Sequence, residues 1–288
     1  MHLNHLLSAE DVADFADDIQ DAIVEARRLF EQSDFTVEKK ADGSPVTSID
    51  TAIQKLLKDI CRRYLGNSIH FVAEEVEEDE ILATPLGKRF WVFIDPIDGT
   101  TPLCAGDPHN ACIAVGVFRD GKPYLGFVAK LGDLSVIYGG TGLGEVMFRQ
   151  ANGLAGKRKV VSPSNQMCCI DLSSGTAANP LMSQFILAVV ADRTLGGYPY
   201  NVPSIAAALK LIEGHSKFFI GSNSKPWDVA AILPMLPILG YSIRSLETGE
   251  PISLDGSRVV VPAFVISTSQ TYSERLVTLY SHIRLNVS

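Results

Sequence analysis

Six consecutive residues are the best candidates for chemistry: Asp95, Pro96, Ile97, Asp98, Gly99 and Thr100. They follow an apolar run at residues 90–94, where a buried strand would end. The pattern also has a plain structural interpretation, because proline stops a sheet ladder, glycine supplies a positive φ and aspartate bonds the local backbone. Taken alone, the six residues are consistent with an acidic site and equally with a strand-ending turn.

Further carboxylates favour the acidic site. Glu74 and Glu75 follow a short apolar pair, and Asp228 opens an apolar segment far downstream. Hard divalent cations such as Mg²⁺ prefer carboxylate oxygens, and Asp95 and Asp98 could flank two ions about 4 Å apart. The six histidines show no paired zinc spacing. The sequence therefore predicts a magnesium site.

A phosphate site is predicted beside the acidic residues. Gly99, Thr100 and Thr101 are typical of a loop that enters a helix, and Pro102 suits the first helical turn, where a missing N–H costs nothing. Free N–H groups at such a start, aided by the helix dipole, bind phosphate oxygens. Candidate metal ligands and a candidate phosphate cradle are thus adjacent in the chain.

These motifs resemble the inositol monophosphatase superfamily, the Mg²⁺-dependent, lithium-sensitive phosphomonoesterases. Its members include inositol monophosphatases, one type of histidinol-phosphate phosphatase, bisphosphate nucleotidases and some fructose-bisphosphatases. Four segments carry the resemblance in the family's order: residues 39–50 (KKADGSPVTSID), 73–75 (AEE), 95–100 (DPIDGT) and 225–231 (KPWDVAA). The resemblance implies an α/β fold, an α+β layered sandwich of alternating helix and sheet layers. It also implies two or three Mg²⁺ ions, a small phosphorylated metabolite as substrate, and a homodimer.

The resemblance further implies residue roles. The metal ligands would be Glu74, Asp95, the Ile97 carbonyl, Asp98 and Asp228. The catalytic residues would be Glu74, Thr100 and Asp50, with the Thr100–Asp50 pair orienting or deprotonating the attacking water, while the backbone of Gly99, Thr100 and Thr101 binds phosphate. Hydrolysis would be direct. A phosphoryl-enzyme route is the weaker alternative, because the Asp-x-Asp pair of haloacid-dehalogenase phosphatases does not match the spacing of Asp95 and Asp98.

The substrate is left open by two departures from the family pattern. After Asp-Gly-Thr-Thr many members continue Asn-Phe, whereas this chain has Pro102, Leu103 and Cys104. Inositol enzymes place a substrate-contacting glutamate where this chain has Gly221. Both departures weigh against a myo-inositol pocket. Histidinol phosphate and 3′(2′),5′-bisphosphate nucleotides are the alternative substrates, and a catalytically silent paralogue that binds a phosphometabolite is the alternative class.

Several polar residues are weaker candidates for substrate contact: Asp192, Arg193, Ser222, Asn223 and Lys225. Each has an ordinary structural role as its alternative. Asp192 and Arg193, for example, could form a surface ion pair, which contributes little to stability. The resemblance places Lys39 near the metal-site waters, although a solvated lysine is also consistent with the sequence.

The composition fits a soluble cytoplasmic enzyme. With 288 residues, 46% of them hydrophobic, the chain can bury one large core or two joined domains. A net charge of −8 argues against a nucleic-acid-binding surface. Five cysteines without a Cys-x-x-Cys motif fit a reducing compartment, and we find neither a signal peptide nor an apolar run of about 18 residues. We therefore expect neither a nucleic acid polymer nor a membrane as partner.

Periodicity predicts the elements that carry these residues. Apolar residues at three-to-four spacing predict a helix over residues 11–30 and a second from Thr47 or Ser48 to residue 64, with Asp50 in its first turn. Residues 111–148 read as strands separated by turns, and the glycine-rich stretch 139–144 as a hairpin tip rather than a nucleotide loop. Further helices are predicted at residues 204–213 and 229–239, the latter bent or shortened by Pro234 and Pro237.

A polar connection at residues 153–159 is the predicted domain boundary. It divides the chain into an N-terminal α+β domain, residues 1–155, and a C-terminal α/β domain, residues 156–288. Most predicted metal ligands lie in the first domain. Asp228 and the candidate substrate contacts lie in the second.

Overall fold

Helices and sheets alternate in layers through the part of the chain that the computed structural model describes, as the sequence predicts. That part comprises residues 7–32, 35–40, 43–75, 89–159, 168–170, 179–192, 195, 199–200, 203–254 and 260–287. The predicted α/β layered sandwich is thereby confirmed. Among the described helices, none combines the length and the apolar character that a membrane span requires.

The larger sheet has seven strands within the described residues. It is preceded by a hairpin of β1 (Val37–Lys39) and β2 (Pro45–Thr47). The strands of the sheet are β3 (Ile69–Ala73), β4 (Phe90–Asp98), β5 (Cys112–Arg119), β6 (Lys122–Lys130), β7 (Val136–Gly140), β8 (Glu145–Arg149) and β9 (Ala155–Lys157). They pair in chain order, β3 with β4 parallel and all later pairs antiparallel. The glycine-rich stretch joins β7 to β8, which confirms the predicted hairpin tip.

Two amphipathic helices cover one face of this sheet. They are α1 (Ala9–Glu31) and α2 (Ser48–Leu65), both close to their predicted bounds. Alternation along β4 directs Ile94 toward these helices, where it joins a core with Phe15, Ile53 and Phe127. Phe93 points to the opposite face. A short helix, α3 (Thr100–Cys104), follows β4.

The smaller sheet has five described strands. They are β10 (Cys168–Ile170), β11 (Pro199–Tyr200), β12 (Phe218–Gly221), β13 (Ser242–Ser245) and β14 (Phe264–Ser267), in the order β11-β10-β12-β14-β13. Helices α4 (Pro180–Ala191) and α7 (Gln270–Val287) cover its outer face through Phe185, Phe218 and Tyr280. Between the two sheets lie α5 (Ser204–Ile212) and α6 (Trp227–Ala230), so that one core joins both halves.

The segment that contains Asp228 rests directly on the larger sheet. The helix predicted over residues 229–239 is shortened, as its prolines imply. α6 ends at Ala230 and a series of turns follows, because Pro234 and Pro237 have no N–H to continue a helix. Glycines on adjacent strands of the larger sheet leave room for the backbone of the segment after Asp228. A Cβ added to Gly126 of β6 would lie 1.8 Å from the Ala231 carbonyl oxygen. This close packing sets the height of Asp228 above the sheet.

The two-domain division stays a prediction. The larger sheet continues through β9, which pairs with β8, so its last strand lies across the proposed boundary at residue 155.

Candidate active site

The site is built where β4 ends against β5. Pairing between these strands is irregular around Pro96, with Asp95 opposite Ala114 and Asp98 opposite Cys112. Both carboxylates are buried, with Asp95 2% and Asp98 8% exposed. Buried carboxylates are costly unless protein donors or a cation compensate them.

Four predicted carboxylates interact electrostatically at this site. Burial raises the pKa of Asp95 well above its usual range, and the charges of Glu74, Asp98 and Asp228 raise it further. Burial likewise raises the pKa of Asp98 to about 7, although the N–H groups of Ala206 and Ile205 act in the opposite direction. Glu74, Asp98 and Asp228 therefore all add negative charge to the surroundings of Asp95. A divalent cation would relieve their repulsion.

The oxygens of these carboxylates differ in their partners. Oδ1 of Asp95 is buried and has no hydrogen-bond partner among the described residues. The hydrogen bonds described for Asp98 all reach its Oδ2, and Oδ2 of Asp228 accepts the Lys225 backbone N–H at 2.6 Å. A buried anionic oxygen without a donor is the kind of ligand that a hard cation selects, so the donor set fits Mg²⁺.

An ion would compete with protein contacts. Within the described ranges, no three acidic, histidine or cysteine side chains are already arranged as a metal-ligand cluster. Oε1 of Glu74 contacts the Lys40 ammonium, and Asp98 and Asp228 each direct one oxygen to backbone N–H groups. Binding of an ion by Glu74 would therefore require this carboxylate to give up its contact with Lys40.

Lys40, rather than Lys39, reaches the acidic residues. Its Nζ lies 2.5 Å from Glu74 Oε1 and 2.8 Å from Glu75 Oε1, whereas Lys39 is exposed on β1. Burial lowers the pKa of Lys40, but the charges and hydrogen bonds of Glu74 and Glu75 outweigh it and raise the pKa overall. The exposure of Lys39 agrees with the alternative of a solvated lysine, and Lys40 was not singled out from the sequence.

A hydroxyl network joins the metal-site turn to α2. Thr100 Oγ1 lies 2.9 Å from the Ile97 carbonyl oxygen and 3.1 Å from Asp50 Oδ1, and its single proton can serve one of them at a time. Asp50 is fully buried, and its Oδ2 accepts hydrogen bonds from the backbone N–H and hydroxyl of Thr47, the N-cap of α2. Burial raises the pKa of Asp50 against these hydrogen bonds. The structure therefore contains the predicted Thr100–Asp50 pair.

The candidate phosphate cradle begins at a glycine. Gly99 is the N-cap of α3 with φ +98°, and a Cβ there would lie 2.4 Å from the Asn110 carbonyl oxygen, so both conformation and space require glycine. The N–H groups of Thr100 and Thr101 stand in the first helical turn, which has no intrahelical acceptor for them. Cys104, one of the departures from the family pattern, is exposed at the end of this helix.

The candidate leaving-group residues divide into two sets. The loop between β12 and α6 contains buried Ser222, exposed Asn223 with φ +57° and half-buried Lys225, close to Asp228 in the chain. Asp192, in contrast, ends α4, and its Oδ2 forms an ion pair with Arg275 of α7 at 2.7 Å. Arg193 lies outside the described residues.

At Gly221 an aromatic ring fills the position of a side chain. A Cβ added there would lie 2.3 Å from the Phe264 ring, which is fully buried. The pairing of β12 with β14 places the two residues directly opposite each other. The glycine is therefore required by packing, and the substitution of a longer side chain would displace the ring.

Other residues that hold Asp98 were missed in the sequence. Its Oδ2 accepts the backbone N–H groups of Ile205 and Ala206, and the Cys112 thiol lies 3.7 Å away. Backbone donors leave no compositional signal, and the cross-strand position of Cys112 depends on the irregular pairing of β4 and β5. No sequence pattern could have identified these contacts.

Two proteins that are similar to this chain in sequence have names that denote different activities. A Streptomyces griseus protein named glucose-1-phosphate thymidylyltransferase is 39% identical to this chain, over 74% of this chain and 77% of its own length. The rat 3′(2′),5′-bisphosphate nucleotidase 1 is 24% identical over 63% of this chain. The alignment spans 60% of the rat enzyme's length.

Fold and family comparisons cover nearly the whole molecule. The crystal structure of SaIMPase-II with bound inositol monophosphate superposes with a TM-score of 0.73 at 20% identity, covering 98% of this chain and 100% of the other. A likeness at this identity shows the shared fold. The sequence model of the inositol monophosphatase family matches residues 8–283. This chain therefore belongs to the inositol monophosphatase family.

Proposed function

We propose that the chain hydrolyses a phosphate monoester of a small polar metabolite in a Mg²⁺-dependent reaction. The observation that carries the proposal is the buried Oδ1 of Asp95, which lacks a described protein partner, on a carboxylate whose pKa the charges of Glu74, Asp98 and Asp228 raise further. Several carboxylates around an oxygen that has no hydrogen-bond donor are typical of cation sites in phosphoryl-transfer enzymes.

The residues proposed to hold Mg²⁺ are Glu74, Asp95, the Ile97 carbonyl, Asp98 and Asp228. Bound Mg²⁺ would lower the pKa of a coordinated water and polarise the ester phosphate. Two or three ions are consistent with this number of ligands. The protein supplies a buried, water-poor setting for them, since Asp95 and Ile97 are 2% and 1% exposed.

The Thr100–Asp50 pair is the proposed proton acceptor. When the Thr100 hydroxyl donates to Asp50 Oδ1, its oxygen can accept a proton from water, and its own proton passes to Asp50. The raised pKa of Asp50 brings this carboxylate nearer to the range in which it can hold a proton. Glu74, freed from Lys40, would orient the same water.

Phosphate would bind to the N–H groups of Gly99, Thr100 and Thr101. These groups lie at the start of α3, next to the acidic turn in the chain. Backbone donors in such a turn stabilise charge on phosphate oxygens without reorganisation.

For the substrate, the loop from Gly221 to Asp228 is the main guide. Gly221 offers no side chain, and Ser222, Asn223 and Lys225 supply neutral and cationic contacts in place of a carboxylate. This favours a leaving group with an additional negative charge over a neutral polyol. The nucleotidase relative supports a bisphosphate nucleotide, the family supports an inositol phosphate, and the Streptomyces griseus relative adds a sugar 1-phosphate. Histidinol phosphate rests on the resemblance of the motifs alone.

Lithium inhibition, a homodimer and a cytoplasmic location belong to the same proposal and rest on family membership. A catalytically silent phosphometabolite binder is the second candidate. The complete set of predicted carboxylates disfavours it, because loss of one ligand would suffice to silence the site.

The test is phosphate release from a panel of these phosphates, with Mg²⁺ or with EDTA. We expect one substrate to dominate, EDTA to abolish its turnover, and Asp95→Asn to lower kcat/KM by at least about 1,000-fold. Asp120→Asn, an exposed position in the turn between β5 and β6, serves as the matched control and should retain full activity. Equal activity of Asp95→Asn and the control would exclude the proposed metal site, and absence of release in a Mg²⁺-binding protein would favour the silent binder.

A further inference from the structure

Helix α5 begins without a cap from its own sequence. Its N-cap residue is Pro203, which makes no side-chain capping bond. The intrahelical ladder starts with the Ala207 N–H, which donates to the Pro203 carbonyl. The N–H groups of Ile205 and Ala206 therefore have no acceptor inside the helix. Both residues are buried, and a buried N–H without a partner destabilises a fold.

Asp98 supplies the missing acceptor from a distant strand. Its Oδ2 accepts the Ile205 N–H at 3.0 Å and the Ala206 N–H at 3.3 Å. An aspartate carboxylate normally caps a helix from the N-cap position itself, whereas this one lies more than 100 residues earlier in the chain. Its charge also complements the positive end of the helix dipole.

We propose that Asp98 caps the N-terminus of α5 from a distant part of the chain, and that its two oxygens therefore have different roles. Oδ2 is committed to Ile205, Ala206 and the Cys112 thiol, so the candidate metal ligand is Oδ1 alone. Asp98 would then bind an ion through one oxygen in a direction set by the helix. The ligand part rests on the proposed function, whereas the cap stands independently of it.

The far end of α5 is fastened to the same sheet that carries Asp98. The Arg158 guanidinium, just beyond β9, donates to the Ile212 carbonyl at 3.3 Å, and Lys130 of β6 lies 3.0 Å from Glu213 Oε1. A nine-residue helix is about 13 Å long. Both ends of α5 are therefore held by contacts with this part of the molecule. A helix held in this way also keeps the Asp98 carboxylate in one orientation.

The experiment is amide hydrogen exchange of the full chain in EDTA, followed residue by residue. Asp98→Asn keeps a carbonyl oxygen for the cap, whereas Asp98→Ala removes it. We expect exchange at Ile205 and Ala206 to accelerate at least about fivefold in Asp98→Ala and to stay within about twofold of wild type in Asp98→Asn. Asp95→Ala is the matched control, a buried carboxylate of the same turn for which no bond to α5 is described, and it should leave both amides unchanged.

Two results would overturn the proposal. One is wild-type exchange at Ile205 and Ala206 in Asp98→Ala, and the other is the same acceleration in Asp95→Ala. Should Asp98→Ala not fold, the wild-type protein decides, because protection of both amides by less than about tenfold over an unstructured peptide also refutes a cap. Since neither Mg²⁺ nor substrate is present, failure of the phosphatase proposal would leave this result intact.

Discussion

Replacing Gly126 with alanine is expected to damage both stability and catalysis through the Asp228 segment. The added Cβ would lie 1.8 Å from the Ala231 carbonyl oxygen, whereas ordinary contacts begin near 3.4 Å. The backbone must therefore separate by about 1.6 Å, the difference between the two values. Because β6 is an interior strand, the displacement falls on the turns after Asp228 rather than on the sheet.

The magnitude follows from this displacement. Overpacking of a buried contact typically lowers the free energy of unfolding by about 1–3 kcal/mol. A shift of about 1 Å in a catalytic group can lower activity roughly 100-fold. Urea unfolding in EDTA measures the first effect, and Mg²⁺-dependent phosphate release under saturating substrate measures the second.

Gly156→Ala is the matched control for this substitution. Gly156 also lies in a strand, but its added Cβ would meet only the Phe148 ring at 3.2 Å. We expect a change below about 0.5 kcal/mol, as for most substitutions away from the core. If Gly126→Ala resembled this control in both assays, the close packing of the Asp228 segment on β6 would be refuted.

Three further predictions concern single side chains. Burial raises the pKa of Asp98 from 3.8 to about 7, so its ionisation opposes folding increasingly from pH 4 to pH 7. In EDTA, the stability of Asp98→Asn relative to wild type should therefore rise over that range, by on the order of 4 kcal/mol at most, and a pH-independent difference would contradict this. Lys40→Met should enlarge the Mg²⁺-induced rise in Tm because Glu74 loses its competing ammonium, whereas Lys39→Met should match wild type. Asn223→Ala should lower the free energy of unfolding by about 1 kcal/mol and Asn223→Gly should not, since φ is +57°; equal effects in urea unfolding would refute a conformational cause.

Local sequence patterns predicted much of the scaffold. Helices α1 and α2 have regular apolar spacing and capping residues such as Thr47, so their bounds could be read directly. The strands from β5 to β8 could also be read from the sequence, because glycine-containing turns separate them. The helix predicted after Trp227 is much shorter than its apolar run, because Pro234 and Pro237 interrupt it, and the sequence did not reveal how far they would shorten it.

The candidate site shows a similar limit. Asp95, Asp98, Glu74 and Asp228 could be named in advance because carboxylates at element ends have a compositional signal. Which oxygen of each carboxylate already has a partner depends on tertiary backbone donors, such as the N–H groups of α5, and these are invisible in a sequence. The contact of Lys40 with Glu74 likewise depends on how the β1–β2 hairpin is placed, which the sequence does not reveal.

The most direct test of the acidic site is a crystal structure of the protein grown with Mn²⁺, an oxygen-seeking ion with an anomalous signal. The proposed site predicts an anomalous peak within bonding distance of Asp95 Oδ1 and Asp98 Oδ1, with the Lys40 ammonium displaced from Glu74. A fully occupied Mn²⁺ elsewhere, with Asp95 Oδ1 still without a ligand, would contradict the account.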